Sequence, residues 1–273
     1  MVERRLPVVT LLTDFGLQDY FVAAMKGVIY NICPEACVVD ITHLIPPHDV
    51  IGAAFTLGAV YHEFPRWTVH VVVVDPGVGT ARRPIVVVGD QHYFVGPDNG
   101  VFSVVYEREP YIRVYHLTEE HFFRSTPSAT FHGRDIFAPV AAWLARGVEP
   151  VHMGVPVEDF IRLKFPKPVP KDANVYQGIV LHVDRFGNLV TNFDAALLTS
   201  VLGEDFRRRC QVIVAQTRIS GLRRTFGEVP RGEPVAYIGS AGFLEVAINQ
   251  GNAAQTLKAT RGTEVSIVVA PEF

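Results

Sequence analysis

The sequence predicts an α/β protein: an N-terminal, mostly parallel sheet with flanking helices, followed by a small C-terminal β-barrel. Three observations carry this. Apolar strand-like runs alternate with helix-spaced segments from Pro7 to Ala145, the signature of a layered sheet with crossover helices. Between Val155 and Pro170 the texture changes: Pro156, Pro166, Pro168 and Pro170 interrupt any regular element and lysines cluster, the composition of a linker. Beyond it, short apolar runs recur between turns carrying Gly187, Gly221, Gly232, Gly242 and Gly262, which suits a barrel or sandwich. The expected domains are residues 1–165 and 166–273.

The elements follow in order. Pro7 to Thr13 reads as a strand that stops at Asp14-Phe15-Gly16. Phe21, Ala24, Met25, Val28 and Ile32 have helical spacing, and Cys33-Pro34 ends that helix. Cys37 to Ile41 is a second strand, and Asp49 is placed to cap a helix reaching about Glu63. Thr68 to Asp75 is a third strand with a continuous apolar core. Ile85 to Val88 and Tyr93 to Val95 are shorter strands, followed by helices over about Val101–Tyr106 and Asp135–Ala145. In the second domain the expected strands are Gly178–Val183, Leu189–Thr191, Gln211–Ala215, Pro234–Ile238, Leu244–Ile248 and Glu264–Val269.

Composition narrows the function. At 48% hydrophobic and 19% charged, 273 residues can bury a sizeable core. Net charge is −3 without a Lys/Arg run, so a nucleic-acid surface is not expected. Basic residues are mostly arginine, with five lysines, a bias that genome composition and heat adaptation explain equally well. Cys33, Cys37 and Cys210 form no CxxC pair, as expected of reduced cysteines in a cytoplasmic protein. The N-terminus runs straight into a strand without the apolar core of a signal peptide. No apolar run reaches membrane-spanning length. The ten histidines show neither HExxH nor another zinc spacing, so no metal is expected.

Four polar clusters punctuate element ends: T-D-F-G (Thr13 to Gly16), D-P-G-V-G-T-A-R-R (Asp75 to Arg83), F-H-G-R-D (Phe131 to Asp135) and D-R-F-G-N-L-V-T-N (Asp184 to Asn192). In open α/β sheets ligands bind beyond the carboxyl ends of strands, where Asp14 and Asp75 fall. Asp14 could accept hydrogen bonds from a ribose diol, or simply shape a turn. Asp75 and Arg82 could form a strand-end ion pair; if His132 joins them, an acid, a guanidinium and an imidazole could hold and polarise one water. His132 could equally serve only as a helix-entry hydrogen bond. Phe186 and Asn188 offer a stacking ring and a polar edge to a base, or belong to a plain hairpin turn. Gly77-Val78-Gly79 lacks the third glycine of a dinucleotide loop.

Taken in order, these clusters, with K-G-V-I-Y-N-I-C-P, G-P-D-N-G-V-F and A-I-N-Q-G-N-A-A, resemble the S-adenosylmethionine (SAM) hydrolase family, also called SAM hydroxide adenosyltransferases, relatives of SAM-dependent fluorinases and chlorinases. The resemblance spans nearly the whole chain. It implies hydrolysis of SAM to adenosine and L-methionine, with SAM as substrate and no cofactor, by a homotrimer whose sites lie between subunits. It places water activation on Asp75, Arg82 and His132 and ribose binding on Asp14. The adenine and methionine contacts fall on Asp184, Phe186, Asn188, Phe226, Ser240 and Asn249, with Phe131 and Gly133 beside them. The halogenases carry an extra loop after the segment matching Asp75 to Arg83 and lack the Asp/Arg/His set; here Arg83-Pro84 leads directly into Ile85-Val86-Val87-Val88. They also carry an aromatic residue where this chain has His48, so contacts there do not transfer. The competing expectations are a SAM-dependent chlorinase, a non-catalytic adenosine or SAM sensor and a metal-dependent hydrolase.

Overall fold

In a computed structural model, which describes residues 6–203 and 206–269, the chain divides into two compact units, Met1–Lys164 and Phe165–Phe273. Residues 1–5, on which the expectation of no signal peptide bears, lie outside the described residues.

The first unit is built on seven strands: β1 (Val8–Thr13), β2 (Cys37–Thr42), β3 (Val69–Val73), β4 (Pro84–Val88), β5 (Tyr93–Pro97), β6 (Arg113–Leu117) and β7 (Gly154–Val157). Their spatial order is β2-β1-β3-β5-β4-β6-β7. The β2-β1-β3-β5 block is parallel, whereas β4, β6 and β7 pair antiparallel. The antiparallel turn at β4–β5 follows from a connection of four residues, too short for the crossover a parallel pair needs. The period of two explains the apolar runs. Leu11, Val71 and Val73 face one layer, with Met25 and Ile29 of α1 (Phe21–Ile32) and Val140 of α4 (Ala138–Ala145). Leu12, Val72 and Val74 face the other, with Ala53 and Leu57 of α2 (Val50–Val60) and Val105 of α3 (Ser103–Arg108). Asp49 caps α2 by accepting from the Gly52 N–H at 2.9 Å.

Three elements differ from the sequence reading. The segment expected as one helix from Asp135 begins as a π-helical turn over Gly133–Phe137 and becomes α-helical at Ala138. Pro139 is the second residue of α4, directly after that turn. β6 and β7 were not expected: His116 breaks the apolar pattern of one and Pro156 lies inside the other, tolerated because β7 is an edge strand.

The second unit contains β8 (Val169–Asp172), β9 (Val175–Val183), β10 (Leu189–Asp194), α5 (Ala195–Leu202), α6 (Phe206–Arg209), β11 (Cys210–Val214), β12 (Thr217–Ser220), β13 (Pro234–Ile238), β14 (Phe243–Ile248), α7 (Ala253–Thr256) and β15 (Glu264–Val269). The antiparallel order β12-β11-β15-β9-β10-β14-β13, with β8 on β9, curls until the segment after β12 bridges back to β13 through Arg223 and Tyr237. The result is the nearly closed barrel that the short strands predicted, with Val180, Phe193, Val212, Leu244 and Ile267 inside. Helix α5 escaped the sequence reading; Asp194 caps it by accepting from the Leu197 N–H.

The first unit also buries an unexpected pair of imidazoles. His70 on β3 is fully buried, shares a 2.8 Å hydrogen bond with Thr10 Oγ1, stacks on Phe94 and lies 3.4 Å from His92. Burial, reinforced by His92, pushes its pKa down to about 3. In the unfolded chain that imidazole titrates near 6.5 and takes up the proton the folded chain refuses. Its stabilising contribution is therefore complete above about pH 6.5 and is lost as pH falls toward 3, at up to about 1.4 kcal/mol per pH unit. Denaturant unfolding between about pH 7 and pH 4.5 tests this: H70Q is expected to lose stability with a slope shallower by about one proton than the native chain, and equal slopes would refute the assignment.

Candidate active site

Both carboxylates singled out at strand ends lie at one edge of the parallel block. β1 and β3 pair in register, Leu12 with Val72 and Thr13 with Val73, so Asp14 and Asp75 leave neighbouring strands side by side. They line a pocket of about 320 Å³ together with Phe15, Phe21, Phe131, His132 and Gly133, while Pro47, His48, Val73, Val78 and Thr130 complete the wall. A larger cavity of about 470 Å³ lies in the second unit among Arg207, Arg208, Arg209 and Arg223. It holds none of the predicted residues, so chemistry rather than size selects the smaller one.

The structure brings Asp75, Arg82 and His132 together. Arg82 Nε donates to Asp75 Oδ1 at 3.0 Å, its Nη2 donates to Oδ2 in a short contact, and the same Nη2 lies 3.0 Å from His132 Nδ1. The side chains of Arg82 and Asp75 are only 7% and 5% exposed. Asp75 and His132 line the pocket and Arg82 does not; Arg82 lies behind the wall, with its guanidinium over the Phe137 ring. Its Nη1 is buried and has no partner among the described residues. Gly79 permits this meeting: its φ is +77°, and a Cβ there would come within 2.5 Å of the Ala129 carbonyl oxygen. The turn after β3 can thus lie directly against the segment that carries His132.

The hydrogen bonds fix the tautomer. A guanidinium can only donate, so His132 Nδ1 must accept and the neutral ring carries its proton on Nε2. Burial and then the Arg82 charge hold the His132 pKa below its ordinary value, against the opposing pull of Asp75 and Asp135. The ring is therefore neutral at pH 7. Arg83, next in sequence, turns elsewhere and binds Asp98 and Asp159.

Asp14 is held by one oxygen: Oδ2 accepts the His48 N–H at 2.9 Å. His48 adopts φ +67° to present that N–H. The sequence reading set this residue aside, and its signal is weak, because an exposed histidine after two prolines looks like any turn. Phe131 packs edge-on to Phe15 and Phe21, with ring centroids 5.9 and 5.2 Å away. Gly133 has no room for a side chain without shifting Met25 and Phe15, which a Cβ would meet at 3.3 and 3.4 Å.

The remaining predicted residues belong to the second unit. Asp184 closes the β9–β10 turn by accepting from the Phe186 N–H, the Asn188 N–H and Asn188 Nδ2 at 2.8–2.9 Å. That leaves Phe186 74% exposed. Asn249, just past β14, donates from Nδ2 to the Val229 carbonyl, and Phe226 lies on a neighbouring turn, also exposed. The strand register sets Asp184, Phe186, Asn188 and Asn249 at one end of the β10-β14-β13 group and Ser240, in the β13–β14 turn, at the other, whereas Phe226 packs against the Tyr237 ring at 6.2 Å. The span is about 20 Å for a six-residue strand. Glu245 on β14, not singled out from sequence, is half-buried beside Tyr237; burial and Asp184 raise its pKa while Tyr237 opposes them.

Among the described residues no group of three or more His, Cys, Asp or Glu side chains is placed to hold a metal ion, and no helix is long and apolar enough to cross a membrane.

Comparison with known proteins follows the same lines. Residues 9–154 match the SAM hydroxide adenosyltransferase N-terminal domain and residues 178–266 the SAM hydroxide adenosyltransferase C-terminal domain. The chain is 42% identical over 272 residues to the (R)-S-adenosyl-L-methionine hydrolase of Thermus thermophilus, covering 95% of this chain and 99% of that one. It is 31% identical to the protein of the same name from Methanocaldococcus jannaschii, over 96% of each chain. A fluorinase from Actinoplanes is more distant, at 28% identity over 97% of this chain and 98% of the fluorinase. Among solved structures, an uncharacterized conserved protein from Thermotoga maritima superposes with a TM-score of 0.89 at 40% identity, over 95% of this chain and 99% of that one. The chain therefore belongs to the SAM hydroxide adenosyltransferase family.

Proposed function

We propose that the protein hydrolyses S-adenosyl-L-methionine to adenosine and L-methionine by attack of a water oxygen on the ribose C5′. The observation that carries the reading is the Asp75–Arg82–His132 cluster at the pocket wall, in a chain whose relatives at 31–42% identity are named as SAM hydrolases. The new bond joins the water oxygen to C5′ as the C5′–S bond breaks. Its electron pair neutralises the sulfonium, and the water loses one proton. No acid is needed for the leaving group, so catalysis rests on placing and activating the oxygen.

The bond directions divide the labour. His132 Nδ1 is occupied by Arg82, so its Nε2–H donates to the water and orients it. Asp75 is the anionic acceptor of the cluster and takes the proton. Arg82 holds both in register, and its charge lowers the cost of forming hydroxide. Asp14 grips the ribose diol through Oδ1. Phe186, Asn188, Phe226 and Asn249 take the adenine, and Ser240 the methionine part; Asp184 shapes the turn that presents Phe186 and Asn188. Phe131 and Gly133 close the ribose pocket. SAM is substrate rather than cofactor in this reading, which also carries a homotrimer in the cytoplasm.

Incubation with SAM in ¹⁸O-water is expected to give methionine and adenosine labelled at the 5′-oxygen. Unlabelled adenosine, or 5′-chloroadenosine at high chloride, would sink the proposal. Asp75→Asn should lower kcat by about two to four orders of magnitude, the usual range for a positioned acid or base; an unchanged kcat would remove Asp75 from the chemistry. Because Arg82 contributes to holding the His132 pKa down, NMR titration should find that pKa higher in Arg82→Met than in the native chain. A value unchanged or lower would show that the two do not interact as described.

A further inference from the structure

Behind Asp14, on the side away from the pocket, lies a second chain of polar groups. Thr13 Oγ1 is 2.9 Å from His43 Nδ1 and also accepts the Phe15 N–H at 3.2 Å. His43 Nε2 lies 3.1 Å from Asp40 Oδ1, a close but poorly aligned contact, and Asp40 Oδ2 binds Lys26 at 2.6 Å. The His43 carbonyl accepts the Gly16 N–H at 2.8 Å. Thr13 is fully buried and His43 is 3% exposed, so neither lines the pocket.

The donors run one way. Burial opposes the Asp40 charge, but Lys26 and His43 hold its carboxyl below the ordinary range, so it is ionised. An anionic oxygen faces a protonated nitrogen, which puts the His43 proton on Nε2 and leaves Nδ1 to accept. The Thr13 hydroxyl then donates to Nδ1 and keeps a lone pair for the Phe15 N–H. His43 thus grips residues on both sides of Asp14: Thr13 directly through its ring, Phe15 through the Thr13 hydroxyl, and Gly16 through its own carbonyl. A local irregularity makes the arrangement possible. β2 carries a bulge against β1, Leu11 pairing with Asp40 but Leu12 with Thr42. Bulges are rare in parallel pairs and common beside active sites, where they re-aim side chains.

We propose that Asp40, His43 and Thr13 form a positioning relay that fixes the 13–16 turn and so aims the Asp14 carboxylate at the ribose diol. The relay rests on the ribose reading of Asp14 given above. None of its members touches substrate, and their effect passes through Asp14 alone.

The test compares binding of adenosine with binding of 2′,3′-dideoxyadenosine, which lacks the diol, by calorimetry on the full-length protein. The native chain should prefer adenosine. Thr13→Val, which keeps the shape and removes the hydroxyl, should cut that preference about tenfold, and Thr13→Ser should restore it. Asp40→Asn, at a partly exposed site that tolerates substitution, should cut it in the same direction, and melting curves would confirm folding. A purely structural role would weaken both ligands alike, and an unchanged ratio in both Thr13→Val and Asp40→Asn would overturn the relay. Absence of any preference in the native chain would remove the ribose reading itself and the relay with it, a failure separate from one confined to the variants.

Discussion

The site depends first on the register between β1 and β3. Parallel neighbours lie about 4.8 Å apart, and pairing Thr13 with Val73 delivers Asp14 and Asp75 to the same edge at nearly the same height. A slip of one residue would turn every side chain of a strand to the opposite layer, taking Leu11 out of the core that holds Met25 and Ile29 and Leu12 out of the core that holds Ala53 and Leu57. The apolar alternation that builds the two cores is therefore the same constraint that aligns the carboxylates. Stability and site geometry cannot be adjusted separately here, because Leu11, Leu12, Val71 and Val72 serve both.

The second dependence is a buried guanidinium. Arg82 is costly to desolvate, and the fold compensates with two hydrogen bonds to Asp75, one to His132 and the face of Phe137. The cluster spans two segments that are fifty residues apart in sequence, joined where Gly79 allows close backbone approach. Removing any member leaves buried polar groups unpaired, so single deletions there measure lost pairing together with lost chemistry.

Much of this was legible in the sequence, and the gaps have physical causes. Val71–Val74 could only be a buried strand, and its breaker placed Asp75 at a strand end. The pairing of Asp75 with Arg82 was suggested by spacing, but contact with His132 is a tertiary fact that came only through the family resemblance and the packing. His48 and His43 went unassigned for opposite reasons. The first acts through its backbone, which side-chain reading cannot see, and the second is a buried histidine whose partners, Thr13 and Asp40, lie on different strands. Helix α5 was missed because Ala195–Leu202 sits in a β-rich context and is too short to show a clear period. The proline-rich stretch read as linker contains most of β7 and the first half of β8, edge strands in which proline is admissible.

Electrostatics sets one more limit on how the proposed reaction can work. Asp75 is neutralised by Arg82 and His132 is uncharged, so Asp14 leaves the pocket with a net negative charge. A sulfonium substrate is attracted to such a wall, but its charge is destroyed as C5′–S cleavage proceeds. The acid that helps binding is therefore less favourable to the transition state than to the bound substrate, and it cannot be the source of rate. In the proposed reaction acceleration must instead come from placing and activating a water at Asp75 and His132 and from the apolar surround of Phe15, Phe21 and Phe131. A nucleophile and a cation that neutralise one another gain most from such a low-dielectric setting. In the proposed reaction the same argument favours product release, since adenosine carries no charge to hold it against Asp14.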